Sequence, residues 1–313
     1  MTIQTASSPV NNSSGKNHRL FFAVTLLLCL ITIGLIQSVL AQDNAAETTA
    51  ELQPENEPVE NETDLLQWQL EPIQLLVNPI YLPEQAERVY QPLADYLSEE
   101  TDLNIQLVTA RNFHRYWLDA RRDESAPLVL EDSHMASWRM NELGYEPLVT
   151  TSVPTSFSLL AMGQYADYES SDFIGLRIST LPSPSLGFVI LSSWYTNPFQ
   201  QPAILSNATS WLDAIEIVFA GEAEAAIVPQ NLVLRYPNLY VIRQSEELPG
   251  LTLSAASNVP QSIRQTLTEA MLRLHENADY HAALFELDIE QFVQANPEDY
   301  TTLDAWLNSI FAL

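Results

Sequence analysis

The sequence predicts an α/β fold built around parallel sheets, and three observations lead there. From residue 70 onward, short apolar runs alternate with segments whose apolar residues recur at helical spacing. A second alternation begins near residue 156, and the character changes again after Pro249. At 313 residues and 46% hydrophobic, the chain is long enough to bury a core in one large or two small domains.

In chain order, residues 1–19 are polar and end in Lys16, His18 and Arg19. The uncharged run "LFFAVTLLLCLITIGLIQSVLA" follows over residues 20–41, long enough to span a bilayer. The basic flank holds the N-terminus in the cytoplasm and sends the rest outward. Val39-Leu40-Ala41 fits a cleavage site, so residues 1–41 are read as a cytoplasmic tail plus either a signal peptide or a transmembrane anchor. The long polar start and long apolar run favour the anchor, and either reading exports the body. Cys29 is the only cysteine and lies in that run without lipobox residues, so no disulfide or cysteine metal site forms within one chain. Residues 42–69 carry Asp43, Glu47, Glu51, Glu55, Glu57, Glu60, Glu62 and Asp64, no basic residue, and Pro54 and Pro58. Such a segment reads as an acidic, disordered, self-repelling linker.

In the body, "IQLLVNPIY" (73–81) reads as a strand ending in a turn. Pro83 then opens a helix whose face is Ala86, Val89, Leu93 and Leu97, with Pro92 expected to kink it. Residues 104–110 read as a strand, 112–122 as a helix, 126–135 as a strand, 136–143 as a short helix and 146–153 as a strand. The second unit offers strands in "FSLLAMG", "IGLRIST", "AILSNA", "AEAAIVPQ" and "LYVIR", with helices ending near 194 and spanning 211–221. "LTLSAAS" and a helix over 260–275 follow, and the tail 278–313 reads as helical pieces.

A formal charge of −27 excludes nucleic acid and anionic membrane surfaces as partners. Lys16 is the only lysine, which excludes Schiff-base and P-loop lysines. The sequence holds no H-E-x-x-H, G-x-S-x-G or G-x-G-x-x-G, and its histidines share no metal spacing. A monomer without enzymatic activity, metal or cofactor is expected.

Several stretches carry a family resemblance. "YQPLADYLSEETDLNIQLV" (90–108) resembles the first-helix signature of the phosphate/phosphonate-type substrate-binding proteins of ABC transporters. "LDIEQFVQANPEDYTTL" (287–303) resembles that family's closing segment, with Asp299 and Tyr300 as its aspartate–tyrosine pair, and "GEAEAAIVP" (221–229) is similar to an internal stretch. Asp102 stands where the family usually has a glycine, and the phosphate loop is thinned to "PSPSLG". The resemblance implies a two-lobed periplasmic-binding-protein-like fold, each lobe a mostly parallel sheet flanked by helices, with two interlobe crossovers. Lobe one would be residues 70–155 and 255–313, and lobe two 156–254. It also implies an exported solute-binding protein that closes on a small anionic or zwitterionic ligand (phosphate, phosphonate or a related oxyanion) for an ABC permease. The alternative is a membrane-anchored sensory or interaction module of the same fold, held by residues 20–41.

Ligands of open α/β sheets bind outside the carboxyl ends of the strands. Four polar places fall there. Tyr81, with Asn78, either touches ligand or fills the cleft rim. Ser133 and His134 follow Glu131 and Asp132; Asp132 or Ser133 would also cap a helix, and His134 would donate to an oxyanion or titrate near neutral pH. Ser183 and Ser185 begin a helix whose free amides suit an anion, with Ser183 as the expected cap and Pro184 at the first helical position. Gln230, with Asn231, is either a closing contact or a solvated loop. Arg111 and Arg115 either reach the cleft or pair with surface carboxylates, and an inward Glu131 or Asp132 would suit a ligand bearing a cation.

Overall fold

The computed structural model describes residues 62–122 and 126–311. The apolar segment 20–41 and the first part of the acidic linker lie outside the described residues. Among the described residues no helix is long and apolar enough to cross a membrane. The end of the expected disordered linker is helical instead: α1 spans Glu62–Leu70, and its Trp68 packs against the first core, an anchorage the acidic composition conceals.

The first sheet takes β1 (Ile73–Val77), β2 (Ile105–Thr109), β3 (Leu128–Glu131) and β4 (Glu146–Thr151) from the N-terminal part of the body. Three helices link them: α2 (Pro83–Thr101), α3 (Phe113–Arg121) and α4 (Ser133–Leu143). From the C-terminal part come β10 (Thr252–Ala255) and β11 (Phe292–Gln294), giving the order β11-β4-β10-β3-β1-β2. β1 runs parallel to β2 and β3, whereas β10 is antiparallel to β3 and β4, and β11 is antiparallel to β4. The sheet is therefore mixed rather than mostly parallel. The returning chain slots β10 between β3 and β4, against their direction. β11 adds a strand between the helical pieces expected of the tail.

The second sheet holds β5 (Phe157–Met162), β6 (Arg177–Ser179), β7 (Ala203–Leu205), β8 (Ala225–Pro229) and β9 (Leu239–Gln244) in the order β7-β6-β8-β5-β9. It too is mixed: β6 is parallel to β7 and β8, and β5 is antiparallel to β8 and β9. Helices α5 (Leu186–Trp194) and α6 (Trp211–Phe219) cover it. Gly187 lets α5 approach closely, since a Cβ there would lie 2.8 Å from the Trp211 ring.

The chain crosses between the sheets after β4 and returns after β9. The two crossings touch: Thr155 N–H donates to the Leu248 carbonyl at 2.9 Å, and Leu248 N–H donates back at 2.8 Å. Two chains paired this way form a narrow hinge. Gly250 is required there because a Cβ would meet Thr151 Oγ1 at 1.7 Å.

Amphipathicity places α2. Ala86, Val89, Leu93 and Leu97 pack on Leu75, Leu128 and Leu253, as the helical spacing predicts. Each fully buried leucine there contributes about 1.5–3 kcal/mol. α2 ends at Asp102, whose φ of 55° is the left-handed conformation glycine normally supplies, which explains the family's usual residue at this place.

Beyond the two sheets, α7 (Gln261–Arg273) and α8 (His281–Glu286) pack on the first lobe, and α9 (Ala305–Phe311) closes the chain. The lobes also share an apolar seam. Phe113 and Ile80 from the first lobe pack among Leu181, Val228 and Leu232 of the second. Leu307 of α9 joins Trp117 and Trp138 of the first lobe to Val189 of the second.

Candidate functional site

The carboxyl ends of β1 and β3 face the loop that follows β6. β3 ends in Glu131, and its next residues, Asp132, Ser133 and His134, turn directly into α4. Asp132 occupies the cap position through its backbone, accepting from the Met135 and Ala136 amides at 3.0 and 3.1 Å without a side-chain capping bond. Its carboxylate is left for other partners. Ser133 and His134 are fully buried in the first turn.

The lobes meet here. His134 Nε2 lies 2.8 Å from the carbonyl oxygen of Pro184, which belongs to the loop before α5. Ser185, rather than Ser183, caps α5: its Oγ accepts from Phe188 N–H at 3.4 Å and donates to the Leu181 carbonyl at 3.2 Å. The cause is placement, because Pro184 lies before the cap and not at the first helical position. Ser183 is thereby left free of capping.

Several buried polar atoms at this junction have no hydrogen-bond partner among the described residues: Ser133 Oγ, His134 Nδ1, Ser179 Oγ, Thr180 Oγ1 and Ser183 Oγ. Buried polar groups are nearly always paired, and these orphans drawn from two lobes make the junction the candidate site. The unbonded amides of a helix's first turn add donors at the start of both α4 and α5. Ser179 and Thr180 were missed from the sequence; their position at the end of a strand in "RIST" was the available signal.

Charge is arranged unexpectedly. Glu131 does not face the cleft. It is fully buried, accepts from Arg139 Nε at 2.8 Å and from the Tyr116 hydroxyl, and has the Arg139 guanidinium stacked over the Tyr116 and Tyr145 rings at 5.5 Å each. Burial pushes its carboxyl upward against the pull of Arg139 and the Tyr116 hydrogen bond. Asp132, partly buried, has no cationic partner among the described residues. Burial pushes its carboxyl from 3.8 up to about 7, the Asn78 amide opposes the rise, and Glu131 adds to it. His134 does not titrate near neutral pH as expected: burial lowers it to about 4, against a smaller opposing effect of the Pro184 carbonyl.

The remaining candidates sit around this centre. Tyr81 is half-buried after β1, edge-on to Tyr90 at 6.1 Å, and Tyr90 donates to Asn78 Oδ1 at 3.1 Å. Burial, then Glu286 and Asp288, raise the Tyr81 phenol. Gln230 is held within the second lobe, its backbone N–H donating to the Ser156 carbonyl at 2.8 Å and its Oε1 accepting from the Ser158 hydroxyl. Its neighbour Asn231 crosses to the first lobe, donating to Asp288 Oδ2 at 2.7 Å. Arg115 pairs with Asp119 at 2.8 Å on the surface of α3. A surface recess of about 510 Å³ is lined by Arg111, Asn112, His114 and Arg115. Among the described residues no group of His, Cys, Asp and Glu could hold a metal ion.

Two α/β lobes, joined by paired crossings and meeting at their strand ends, define a two-lobed periplasmic-binding-protein-like fold. The sequence matches the family described as "ABC transporter, phosphonate, periplasmic substrate-binding protein" over residues 75–300, and the chain belongs to that family. Similar solved structures agree on the fold. PhnD1 of Prochlorococcus marinus in complex with methylphosphonate matches at a TM-score of 0.64 and 12% identity, covering 77% of this chain and 99% of that one. A Xanthomonas citri protein bound to ATP gives 0.64 and 13%, covering 77% and 98%. A binding protein component of an ABC phosphonate transporter from Pseudomonas aeruginosa gives 0.60 and 15%, covering 77% and 88%. No curated protein matches the sequence. The family's members are periplasmic solute-binding proteins of ABC systems, not enzymes.

Proposed function

We propose that the cleft holds one small phosphonate- or phosphate-type oxyanion, and that the closed protein delivers it to the permease of an ABC uptake system. The observation that carries this reading is the set of unpartnered buried hydroxyls contributed by both lobes, Ser133 from the first and Thr180 and Ser183 from the second. An oxyanion has acceptors for each of them, and the helix starts at α4 and α5 add dipoles of the right sign. Lysine and arginine are not needed, because neutral donors in a dry site satisfy an anion without a counter-charge. Ligand contacts made by both lobes at once favour the closed state over an open one, so binding and hinge closure at Thr155 and Leu248 are one equilibrium.

A thermal-shift screen of the full chain with methylphosphonate, 2-aminoethylphosphonate, phosphate and phosphite tests this. At a hundredfold excess over Kd, a specific ligand stabilises by about 2.7 kcal/mol and raises Tm by several degrees. No shift with any of the four overturns the proposal.

A further inference from the structure

The lobes also meet outside the ligand junction, beside the crossings. Asn231 and Arg235 belong to the short 3₁₀ segment Gln230–Arg235 that follows β8, and Leu232 between them is buried in the core of the second lobe. Asp288 follows α8 in the first lobe, flanked by Leu287 and Ile289, which pack on that lobe's core. Asn231 Nδ2 donates to Asp288 Oδ2 at 2.7 Å, and Arg235 Nη2 lies 3.9 Å from the same oxygen. Other arginines pair within one lobe: Arg177 with Glu224 in the second, Arg264 with Glu146 and Arg273 with Glu100 in the first. The crossings are close by, since Gln230 N–H donates to the Ser156 carbonyl and Ser152 N–H to the Gln291 carbonyl.

Asp288 is a poor choice for its local task. Ile289 N–H donates to the Leu284 carbonyl at 2.9 Å and Asp288 N–H to the Phe285 carbonyl at 3.1 Å, the paired bonds that end a helix on a left-handed residue. Asp288 has a φ of 55°, a conformation glycine takes without steric cost, and its negative charge lies at the negative end of the α8 dipole. A helix end alone calls for neither. Bonds from its carboxylate to the opposite lobe are what the aspartate adds over glycine.

We propose that Asp288 is a positioning residue for ligand retention: held by Asn231 and Arg235, it braces the hinge at the closed angle without touching the ligand. Opening rotates the lobes about the crossings. So near that axis the displacement is small, but a hydrogen bond is lost within about 1 Å of lengthening. The brace therefore resists the first part of opening, and its contribution adds to that of the ligand contacts. Methylphosphonate enters the test only through the oxyanion reading above; the brace itself acts in the free protein.

The test is a pulsed spin-label distance measurement on the full chain, with labels at the exposed sites Glu87→Cys on α2 and Glu216→Cys on α6 in a Cys29→Ser background. Methylphosphonate dissociation is followed on the same proteins by tryptophan fluorescence. Asp288→Gly and Asp102→Gly relieve the same left-handed conformation, at the ends of α8 and α2, so a merely structural role moves both alike. In Asp288→Gly alone, the open-to-closed ratio of the free protein is expected to rise about threefold or more, the loss of one exposed charge-assisted contact. Methylphosphonate should then leave faster by a similar factor. Asp288→Asn keeps an acceptor for Asn231 and is expected to restore most of the wild-type ratio, because the 2.7 Å bond rather than the 3.9 Å pair carries the brace. Equal ratios in the two glycine variants overturn the proposal, as does an Asp288→Asn protein as open as Asp288→Gly. If wild type binds no methylphosphonate, the oxyanion reading falls and the free-protein ratios still decide the brace.

Discussion

Two buried polar groups flank one strand end and answer opposite physical demands. Glu131, the last residue of β3, has both carboxylate oxygens engaged by Arg139 and Tyr116 and is closed off from solvent. Two and three residues later, Ser133 Oγ and His134 Nδ1 are as deeply buried and have no partner among the described residues. A satisfied buried network fixes structure, here the angle at which α4 leaves the sheet. An unsatisfied one costs stability in the free protein and is recovered only when something binds.

The largest expected effect is on the satisfied side. Arg139→Met leaves the Glu131 charge buried without its cation and should destabilise by about 3–5 kcal/mol in urea or thermal unfolding. Pairing it with Glu131→Leu should recover most of the loss. If the single variant costs nothing, the network does not hold α4 and the contrast fails.

Asp132 should respond with the opposite sign. Its carboxyl rises from 3.8 unfolded to about 7 folded, so the folded state binds more protons across that interval. Stability is therefore fully present at low pH and declines as pH climbs through about 7. Asp132→Asn removes that decline. It should be more stable than wild type at about pH 8, by on the order of 2 kcal/mol given the screening of a partly exposed group, and indistinguishable near pH 4. Equal stabilities at the higher pH would show that solvent already satisfies the carboxylate.

Much of the scaffold was legible in the sequence because its signals are local. The helical spacing of Ala86, Val89, Leu93 and Leu97 and the alternation in "NIQLVTA" report one element at a time. What escaped depends on partners distant in the chain. β11 is three residues long and exists only through its antiparallel pairing with β4. The partner of His134 lies fifty residues on, at Pro184, and a ring free to titrate in sequence becomes a neutral acceptor once that contact buries it. Pro184 favours a first helical position and points to Ser183 as the cap, yet the cap falls at Ser185 and the Ser183 hydroxyl is left without a partner among the described residues. Arg139, which takes Glu131 out of the cleft, lies on the far side of the strand-to-helix turn, at no spacing that announces a pair. Composition misled at α1, where acidic residues hide the anchoring Trp68.

The smallest stability effect belongs to the residue that tests the central claim most directly. Ser183→Ala removes an unpartnered buried hydroxyl, so the free protein should keep its stability or gain about 1 kcal/mol. Methylphosphonate affinity, measured by calorimetry on the same samples, should fall by about tenfold or more, the loss of one hydrogen bond to a charged oxygen. Unchanged affinity in Ser183→Ala, or a loss of affinity that merely follows a loss of folding, would contradict the assignment of the interlobe hydroxyls to a ligand.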